Sequence, residues 1–424
     1  MKRIFLIAIL FLAQHVIFAQ NSIIFSGRVY DKSTNEPLPY ATISIPHTGT
    51  GVISNEFGEF TYHLPISNEN RIIEISFLGF ETSFIKVSSI DPGSVYQIGM
   101  SSKTVEIDEV LIAAEELISA EKLVRKSIRN ISKNYPKDRF QLYGYYRDYI
   151  RNLNSNDYNN LTEAAVIIED KGYNTNDYKK TKIKIEQIRY NPLLASDTSL
   201  NIGYDGMVKY VPNADISGAN DLALLMFHNP VRNHKINTFS FVYILDESFL
   251  ENHEFHYKTI TKDDSLKIYE ISFNTDTLLG SEDDSEYIGE GTMHINSDDL
   301  AILKFNYMVN RNSEAFTEKL MEVRLEYKKY QEKYYLSYLS MDNYFEITYK
   351  SFGMYRPKVE HLYQYRELFI NKIVAEPDQL ISEEEAIEKG RMLIGNKVSE
   401  IPGFWENYNY IINERLIEEY DLVK

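Results

Sequence analysis

The sequence predicts a mainly β fold of the α+β class. A seven-stranded antiparallel β-sandwich comes first, followed by a large curved antiparallel sheet with a covering helix and a helical C-terminal tail. Strand-favouring aromatics are abundant, with 33 Tyr and 22 Phe among 424 residues. Apolar and polar side chains alternate over many short segments, which is the period of a strand. One long stretch, 115–134, instead repeats its apolar residues every three or four positions, as an amphipathic helix does.

The first 19 residues have the pattern of an export signal. Lys2 and Arg3 precede an apolar run that begins at Ile4, and Ala19 ends a small-residue cleavage site. The run is too short to serve well as a membrane anchor. We therefore expect an exported protein, located in the periplasm or on the periplasmic face of the outer membrane.

Composition limits the chemistry that the chain can perform. The sequence has no cysteine, which excludes disulfides, thiolate metal ligands and the cysteine-linked lipid of bacterial lipoproteins. Its formal net charge of −17 argues against nucleic acid as a partner, while peripheral membrane association stays open. A length of 424 residues predicts two domains or more, and 43% apolar residues suffice for packed cores.

Residues 20–112 are predicted to form the sandwich. Ile43 and Ile45 alternate with polar residues, and Ile73 faces inward while Glu74 faces outward. Turn-forming clusters separate about seven such strands over roughly 80 residues, which is typical of a small antiparallel sandwich. Three glycines are predicted to lie where the backbone needs a positive φ or a close approach: Gly51, Gly58 and Gly79.

Four segments of this domain occur in the order found in a known family. They are 27–31 (GRVYD), 36–43 (EPLPYATI), 51–60 (GVISNEFGEF) and 75–82 (ISFLGFET). Together they resemble the carboxypeptidase-regulatory-like domain, a transthyretin-like β-sandwich of many Bacteroidetes envelope proteins, and 107–112 resembles its closing strand. The resemblance implies an accessory module in a cell-envelope protein, because the zinc peptidase of the family's name is a separate domain.

Residues 113–375 are predicted to form the large sheet domain, which opens with the helix at 115–134. Leu117 and Ile131 belong to the apolar side of this helix, and basic residues occupy the other side. Pro136 follows its end. We expect the helix to cover the sheet.

Ten alternating segments follow the helix, several of them at hairpin-like spacing. An insertion over 192–230 interrupts them and is expected to include a short helix at 220–227, capped by Asn220 or Asp221. The pattern predicts a broad, curved antiparallel sheet. The ten segments are 141–149, 161–168, 182–189, 239–245, 266–273, 289–295, 301–307, 321–327, 334–339 and 362–369.

Two further resemblances concern this second domain. Residues 291–295 and 301–304, joined by a polar turn, resemble two strands of the periplasmic lipoprotein-carrier fold, in which a half-barrel wraps a helix and shelters acyl chains. Segments 144–148, 229–233 and 404–409 resemble the uncharacterised domain that follows the accessory module in many Bacteroidetes envelope proteins. The second likeness implies a family without implying an activity.

Residues 376–424 are predicted to form a helical clasp. Ser382 and Glu385 have the spacing of a capping box, and the helix that they begin is expected to run to Ile394. Trp405 is the only tryptophan, and we expect it to pack the tail on the main domain.

Six residues are candidates for ligand binding or for ordering a loop. Two histidines and an arginine flank Pro230, and both an anion site and an ordered loop fit them. A pair of tyrosines fits either a stacking platform for sugars or the surface of a half-buried sheet. The tryptophan of the tail completes the set. The six candidates are His228, Arg232, His234, Tyr145, Tyr146 and Trp405.

Motifs that signal catalysis are absent from the sequence. It has no Gly-x-Ser-x-Gly elbow, phosphate-binding glycine loop or dinucleotide fingerprint. His253 and His256 would share a metal on a helix but would point apart on a strand. Acidic clusters at 263–264, 282–284 and 298–299 are typical of solvated hairpin tips. We expect no enzyme, no cofactor and no metal site.

These observations favour an exported, non-enzymatic cell-envelope binding or scaffold protein, with an envelope protein as partner or an apolar or glycan ligand. The alternative is a periplasmic carrier or chaperone for a lipid or acyl chain, sheltered between the helix and the curved sheet. A peptide or glycan hydrolase, built from acids that only the fold brings together, is the less favoured third hypothesis.

Overall fold

The computed structural model describes most of the chain. The residues described are 22–106, 118–174, 181–190, 207–209, 222–236, 245–263, 266–275, 286–312, 317–349, 358–387, 393, 396 and 398–411. The export pattern at 1–19 and the closing segment at 107–112 lie outside these residues.

The amino-terminal domain is a sandwich of two sheets, with strand orders β4-β1-β7 and β3-β2-β5-β6. Its seven strands confirm the predicted number, but one pair, β1 with β7, is parallel rather than antiparallel. Strand β7 reaches β1 after the chain has crossed from the other sheet, so it does not have to reverse direction. The strands are β1 (Ser22–Asp31), β2 (Thr42–Ser44), β3 (Gly51–Ile53), β4 (Glu59–Pro65), β5 (Ile72–Ser76), β6 (Ser83–Lys86) and β7 (Val95–Met100).

Alternation builds the sandwich core, and glycines make its turns. Ile43 and Ile75 are fully buried between the sheets, as the period of two predicts. Gly58 and Gly79 have φ of +76° and +91°, which favour glycine. Gly51 is needed for a close approach, because an added Cβ would lie 2.7 Å from the carbonyl oxygen of Ile43.

The second domain is one open antiparallel sheet of twelve strands. Its order is β11-β10-β9-β19-β18-β17-β16-β15-β14-β13-β8, and β12 pairs with β18. Ten of these strands are long, and two, β8 and β12, have three residues each. The strands are β8 (Thr104–Glu106), β9 (Phe140–Asn152), β10 (Tyr158–Asp170), β11 (Lys182–Tyr190), β12 (Met207–Lys209), β13 (Glu254–Asp263), β14 (Leu266–Asn274), β15 (Glu286–Asn296), β16 (Ile302–Asn312), β17 (Thr317–Tyr330), β18 (Lys333–Tyr349) and β19 (Lys358–Val374).

The broad antiparallel sheet confirms the predicted architecture, with two differences in its strands. The predicted strand at 239–245 lies outside the described residues except for Leu245, which is in a turn. Strand β13 was not among the predicted segments. It pairs with β14 over its whole length and carries β8, so the chain enters this sheet directly from the sandwich.

Helices are few in the described residues: α1 (Ala120–Asn134), α2 (Leu222–Phe227), α3 (Glu247–Glu251) and α4 (Phe404–Asn407). Helix α1 begins later than the predicted residue 115, because the Ser119 hydroxyl accepts the Lys122 amide and caps it there. Helix α2 confirms the short helix at 220–227, and its proposed caps lie outside the described residues. None of these four helices has the length and apolar character required to cross a bilayer.

The large sheet is covered on both faces. On the helix face, Leu142 and Tyr146 join a core that also contains residues of α1, α2 and α3. On the sandwich face, Tyr145 and Tyr338 join the core of the sandwich and of the tail. The Tyr40 ring of the sandwich lies 4.7 Å from the Tyr338 ring, centroid to centroid, so the two domains are in direct contact.

The tail differs from the predicted helix at 382–394. Ser382 and Glu385 do form the capping box, with hydrogen bonds in both directions of 3.0 to 3.2 Å. The next residues form a turn, and the Ile387 amide donates to the Ile183 carbonyl of β11 at 2.8 Å. The tail thus bonds to the edge strand of the sheet instead of continuing a helix there.

Gly58→Ala tests the role of the glycine in the turn between β3 and β4 of the sandwich. The new Cβ would lie 2.2 Å from the Val29 carbonyl oxygen, so the substitution adds a backbone clash to the strain of about 1–2 kcal/mol expected for φ > 0. Gly93→Ala is the control, since Gly93 has φ +100° but nothing within 4 Å of an added Cβ. Gly93→Ala adds the φ strain without the clash, so we expect urea to unfold the sandwich at a clearly lower concentration for Gly58→Ala than for Gly93→Ala; equal shifts for both variants would contradict this.

Candidate functional site

A cavity of about 420 Å³ lies between the two domains. One wall is the outer surface of β2 and β5, and the other is formed by β16, β17 and the start of β18. Because Ile43 and Ile75 turn inward, the side chains of Thr42, Ser44 and Ser76 face this space. The volume falls within the range of small-molecule sites. We call it the interdomain cavity.

Lys328 on β17 is the most unusual residue of the cavity wall. It is partly buried, and its amino group makes no hydrogen bond or ion pair with any described residue. Burial disfavours the charged form and lowers the pKa of Lys328 from 10.5 to about 8. A desolvated ammonium without a counter-charge is costly, and a bound anion would relieve that cost.

Glu74 on β5 lies on the sandwich wall of the same cavity. It is half-buried and makes no hydrogen bond or ion pair within the described part of the chain. Burial raises the pKa of its carboxyl above the ordinary value, and the charge of nearby His47 acts in the opposite direction. The cavity therefore holds one desolvated carboxylate and one desolvated amine on facing walls.

Three other charged residues of the cavity wall, Lys304, Glu326 and Lys329, differ because they already have partners. The Lys304 amino group lies 2.7 Å from a carboxylate oxygen of Glu326 and 5.0 Å from the centre of the Phe77 ring. Lys329 lies 3.7 Å from the carboxylate of Asp299. These groups neutralise one another without a ligand.

The candidates around Pro230 form a separate, ordered loop. The Arg232 guanidinium donates to both carboxylate oxygens of Asp170, at 2.7 and 2.9 Å, and both side chains are only 3% exposed. His228 is buried. His234 lies 3.2 Å from the Val231 carbonyl oxygen, and burial lowers its pKa to about 4. Since the Asp170 carboxylate already pairs with Arg232, these contacts fit loop ordering better than anion binding.

The fold brings Tyr145 and Trp405 together, although they are far apart in sequence. The Tyr145 hydroxyl donates to Glu163, and Arg189 pairs with the same carboxylate. The Arg189 guanidinium lies 4.4 Å from the centre of the Trp405 ring, a cation–π geometry. The sequence analysis missed Glu163 and Arg189, which carry this link. The arrangement packs the tail on the sheet, as expected for the tryptophan.

Tyr146, next in sequence, lies on the opposite face of the sheet. Its hydroxyl donates to the Asp148 carboxylate at 2.9 Å. Tyr145 and Tyr146 are both fully buried, so neither ring is available as a stacking platform for a sugar. Both cover the sheet, one on each face.

His253 and His256 have different environments. His253 is buried, and its Nδ1 lies 2.8 Å from the Phe249 carbonyl oxygen while Nε2 lies 3.1 Å from the Tyr307 hydroxyl. The neutral ring with its proton on Nδ1 satisfies both contacts. The His256 side chain is 65% exposed. Within the described residues, no group of three or more histidine or acidic side chains could hold a metal ion.

Comparison with known proteins identifies the first domain. Residues 25–112 match the model of the CarboxypepD_reg-like domain. The chain carries a CarboxypepD_reg-like domain. This domain forms one wall of the interdomain cavity, and Glu74 belongs to it. The match ends before the large sheet and does not extend to Lys328.

Solved structures show only a distant likeness. A LolA superfamily protein from Nitrosomonas europaea is 9% identical, covers 63% of this chain and 99% of its own, and has a TM-score of 0.23. A DUF1329 family protein from Desulfovibrio piger is 11% identical, covers 59% of this chain and 92% of its own, and has a TM-score of 0.24. Similarity at this level carries no functional argument. The search of curated proteins gave no match.

Asp170→Ala tests whether Arg232 serves the structure. Removing the carboxylate takes the counter-charge away from a buried guanidinium, which costs about 3–5 kcal/mol of stability. Glu383→Ala is the control, because Glu383 pairs with Lys182 at 2.9 Å but is 89% exposed. Surface pairs contribute about 0–1 kcal/mol. We expect chemical denaturation to show a large loss for Asp170→Ala alone; two equal, small losses would favour a ligand-binding role for Arg232.

The buried His253 is expected to make the free energy of unfolding depend on pH in the acid range. Burial lowers its pKa from 6.5 to about 4, so between these values the unfolded chain binds a proton that the folded protein does not. The free energy of unfolding should therefore fall as the pH decreases from 6.5 to 4. Relative to wild type, His253→Leu should flatten this decrease and His256→Leu should leave it unchanged, in urea titrations at several pH values. An identical slope in all three proteins would contradict the assignment.

Proposed function

We propose that this is an exported, non-enzymatic binding protein of the cell envelope that holds a small ligand in the interdomain cavity. The observation that carries the proposal is Lys328, a desolvated amine without a partner among the described residues, on the wall of a cavity of about 420 Å³. The proposal of export rests on the pattern of residues 1–19. The proposed envelope location rests on the resemblance of the first domain to an accessory domain of many cell-envelope proteins.

The chemistry of the wall supports binding. The Lys328 amine offers hydrogen bonds to an anionic group, and charge-assisted bonds are the strong ones. The hydroxyls of Thr42, Ser44 and Ser76 add neutral donors and acceptors, and Phe77 adds apolar contact. A few convergent polar groups in a partly apolar cavity are typical of a small-molecule site.

The alternative, a carrier of an apolar ligand between helix and sheet, has less support. Beneath α3, the ring of Phe249 lies 5.3 Å from that of Phe273, and the Phe273 ring lies 5.7 Å from that of Phe305. At the end of α1, Tyr135 stacks on Tyr173 at 5.2 Å. The described side chains thus pack closely on the helix face, where an acyl chain would have to lie.

Lys328→Met tests the proposal. We expect native mass spectrometry of protein purified from the periplasm of its own host to detect a bound small molecule, and the variant to lose it, because methionine removes the positive charge while keeping much of the volume. Lys86→Met is the matched control, since Lys86 is exposed on β6 and outside the cavity.

Three results would count against this proposal. A wild-type protein that carries no small molecule would favour a scaffold role. Retention of the molecule by Lys328→Met would place the ligand elsewhere. A stoichiometric lipid, retained in both variants, would favour the carrier alternative.

A further inference from the structure

We propose that the ligand of the interdomain cavity is a short peptide with free ends, whose carboxylate binds Lys328 and whose ammonium binds Glu74. This inference rests on the proposed function and specifies the chemical class of the ligand. It depends on where the two charges lie and on what surrounds them.

The two charged groups are on opposite walls. Lys328 belongs to β17 of the large sheet, and Glu74 to β5 of the CarboxypepD_reg-like domain. Among the described residues neither side chain forms a hydrogen bond or an ion pair, with the other or with a third group, and both line the cavity. A ligand with separated charges of opposite sign would give Lys328 a counter-charge and would place a cation at Glu74, which has only the nearby His47.

The other residues of the wall argue against a ligand with net charge. Lys304 and Glu326 already form an ion pair across 2.7 Å, and Lys329 lies 3.7 Å from the Asp299 carboxylate, so these residues leave no excess charge in the cavity. With Lys328 and Glu74 also opposite in sign, a neutral molecule with two charged ends matches the cavity better than a dianion or a dication. A bare anion would satisfy Lys328 and leave the Glu74 carboxylate unpaired and desolvated, which is unfavourable.

The polar and apolar surfaces between the two charges suit a peptide backbone. Thr42, Ser44 and Ser76 present hydroxyls that can pair with amide groups, and they lie on the same outer sheet surface as Glu74. Phe77 and Leu303 offer apolar contact for a side chain. A lipid or a long glycan would exceed about 420 Å³, whereas a dipeptide fits within it.

Isothermal titration calorimetry with three probes tests this inference on the full exported chain. The probes are L-alanyl-L-alanine, its N-acetylated form and its C-terminal amide, which keep the size nearly constant and remove one charge at a time. We expect the wild-type protein to bind the free dipeptide about tenfold more tightly than either blocked form, as the loss of one charged hydrogen bond implies.

Two variants test which wall of the cavity binds which charged end of the dipeptide. Glu74→Gln should bind the free and the N-acetylated dipeptide equally, because the ammonium has lost its partner. Lys328→Met should bind the free dipeptide and the amide equally, because the carboxylate has lost its partner. Glu69→Gln and Lys86→Met are the matched controls on exposed positions outside the cavity, and they should discriminate as the wild type does.

The outcomes separate this inference from the proposed function. Absence of measurable binding of the free dipeptide at millimolar concentration, or equal binding of all three probes by the wild type, overturns the peptide assignment. If native mass spectrometry still finds a Lys328-dependent small molecule of another class, the cavity remains a binding site and only its ligand class is wrong. If no such molecule is found but the dipeptide binds with the expected discrimination, the inference holds.

Discussion

Burial of both faces of the large sheet is the constraint on which the rest of this structure depends. Successive side chains of a strand point to opposite faces, so a sheet covered on one side would leave every second residue in water. Here Tyr145 and Tyr146 are neighbours and both are fully buried. The helices α1, α2 and α3 cover one face, and the sandwich with the tail covers the other.

The face of the large sheet that the sandwich covers contains charged side chains, which need hydrogen-bond partners once they are buried. Arg147 and Glu367 form a buried ion pair on adjacent strands, and the Glu367 carboxylate also accepts the Tyr338 hydroxyl at 3.0 Å. Tyr338 in turn contacts Tyr40 of the CarboxypepD_reg-like domain. Removing such charges from water is expensive and is compensated only when their hydrogen bonds are made. Through Tyr338 and Tyr40, the buried ion pair of the large sheet is connected to the CarboxypepD_reg-like domain.

The interdomain cavity follows from the same arrangement. Where aromatic rings meet, the two surfaces are in contact, as at Tyr40 and Tyr338. Where the outer side chains of β2 and β5 face β16 and β17, short hydroxyl residues such as Ser44 leave space between the walls. Lys328 and Glu74 then lie in a site that is removed from bulk water without being paired. This combination separates them from the solvated charges that are common on protein surfaces.

Features that depend on local periodicity and local backbone geometry could be predicted from the sequence. Alternation predicted the seven strands of the sandwich and most of the large sheet, and the glycine at position 58 was predicted to lie in a turn because only local sterics decide its φ. The capping box of Ser382 and Glu385 was likewise predicted, since its partners are three residues apart. The start of α1 was wrong by five residues, because apolar spacing continued beyond the cap at Ser119.

The contacts between these elements could not be predicted from local patterns and are known from the folded structure. The parallel pairing of β1 with β7 depends on a crossing between sheets. The turn that replaces the predicted helix after Ser382 is followed by a hydrogen bond from Ile387 to Ile183, a residue of β11 far earlier in the chain. Lys328 was not recognised from the sequence, because a lysine on a polar strand surface looks the same whether water or a second domain faces it. The pKa of Lys328 is lowered by burial, and the burial depends on the domain that forms the opposite wall of the cavity. A local sequence pattern contains no information about that domain's position.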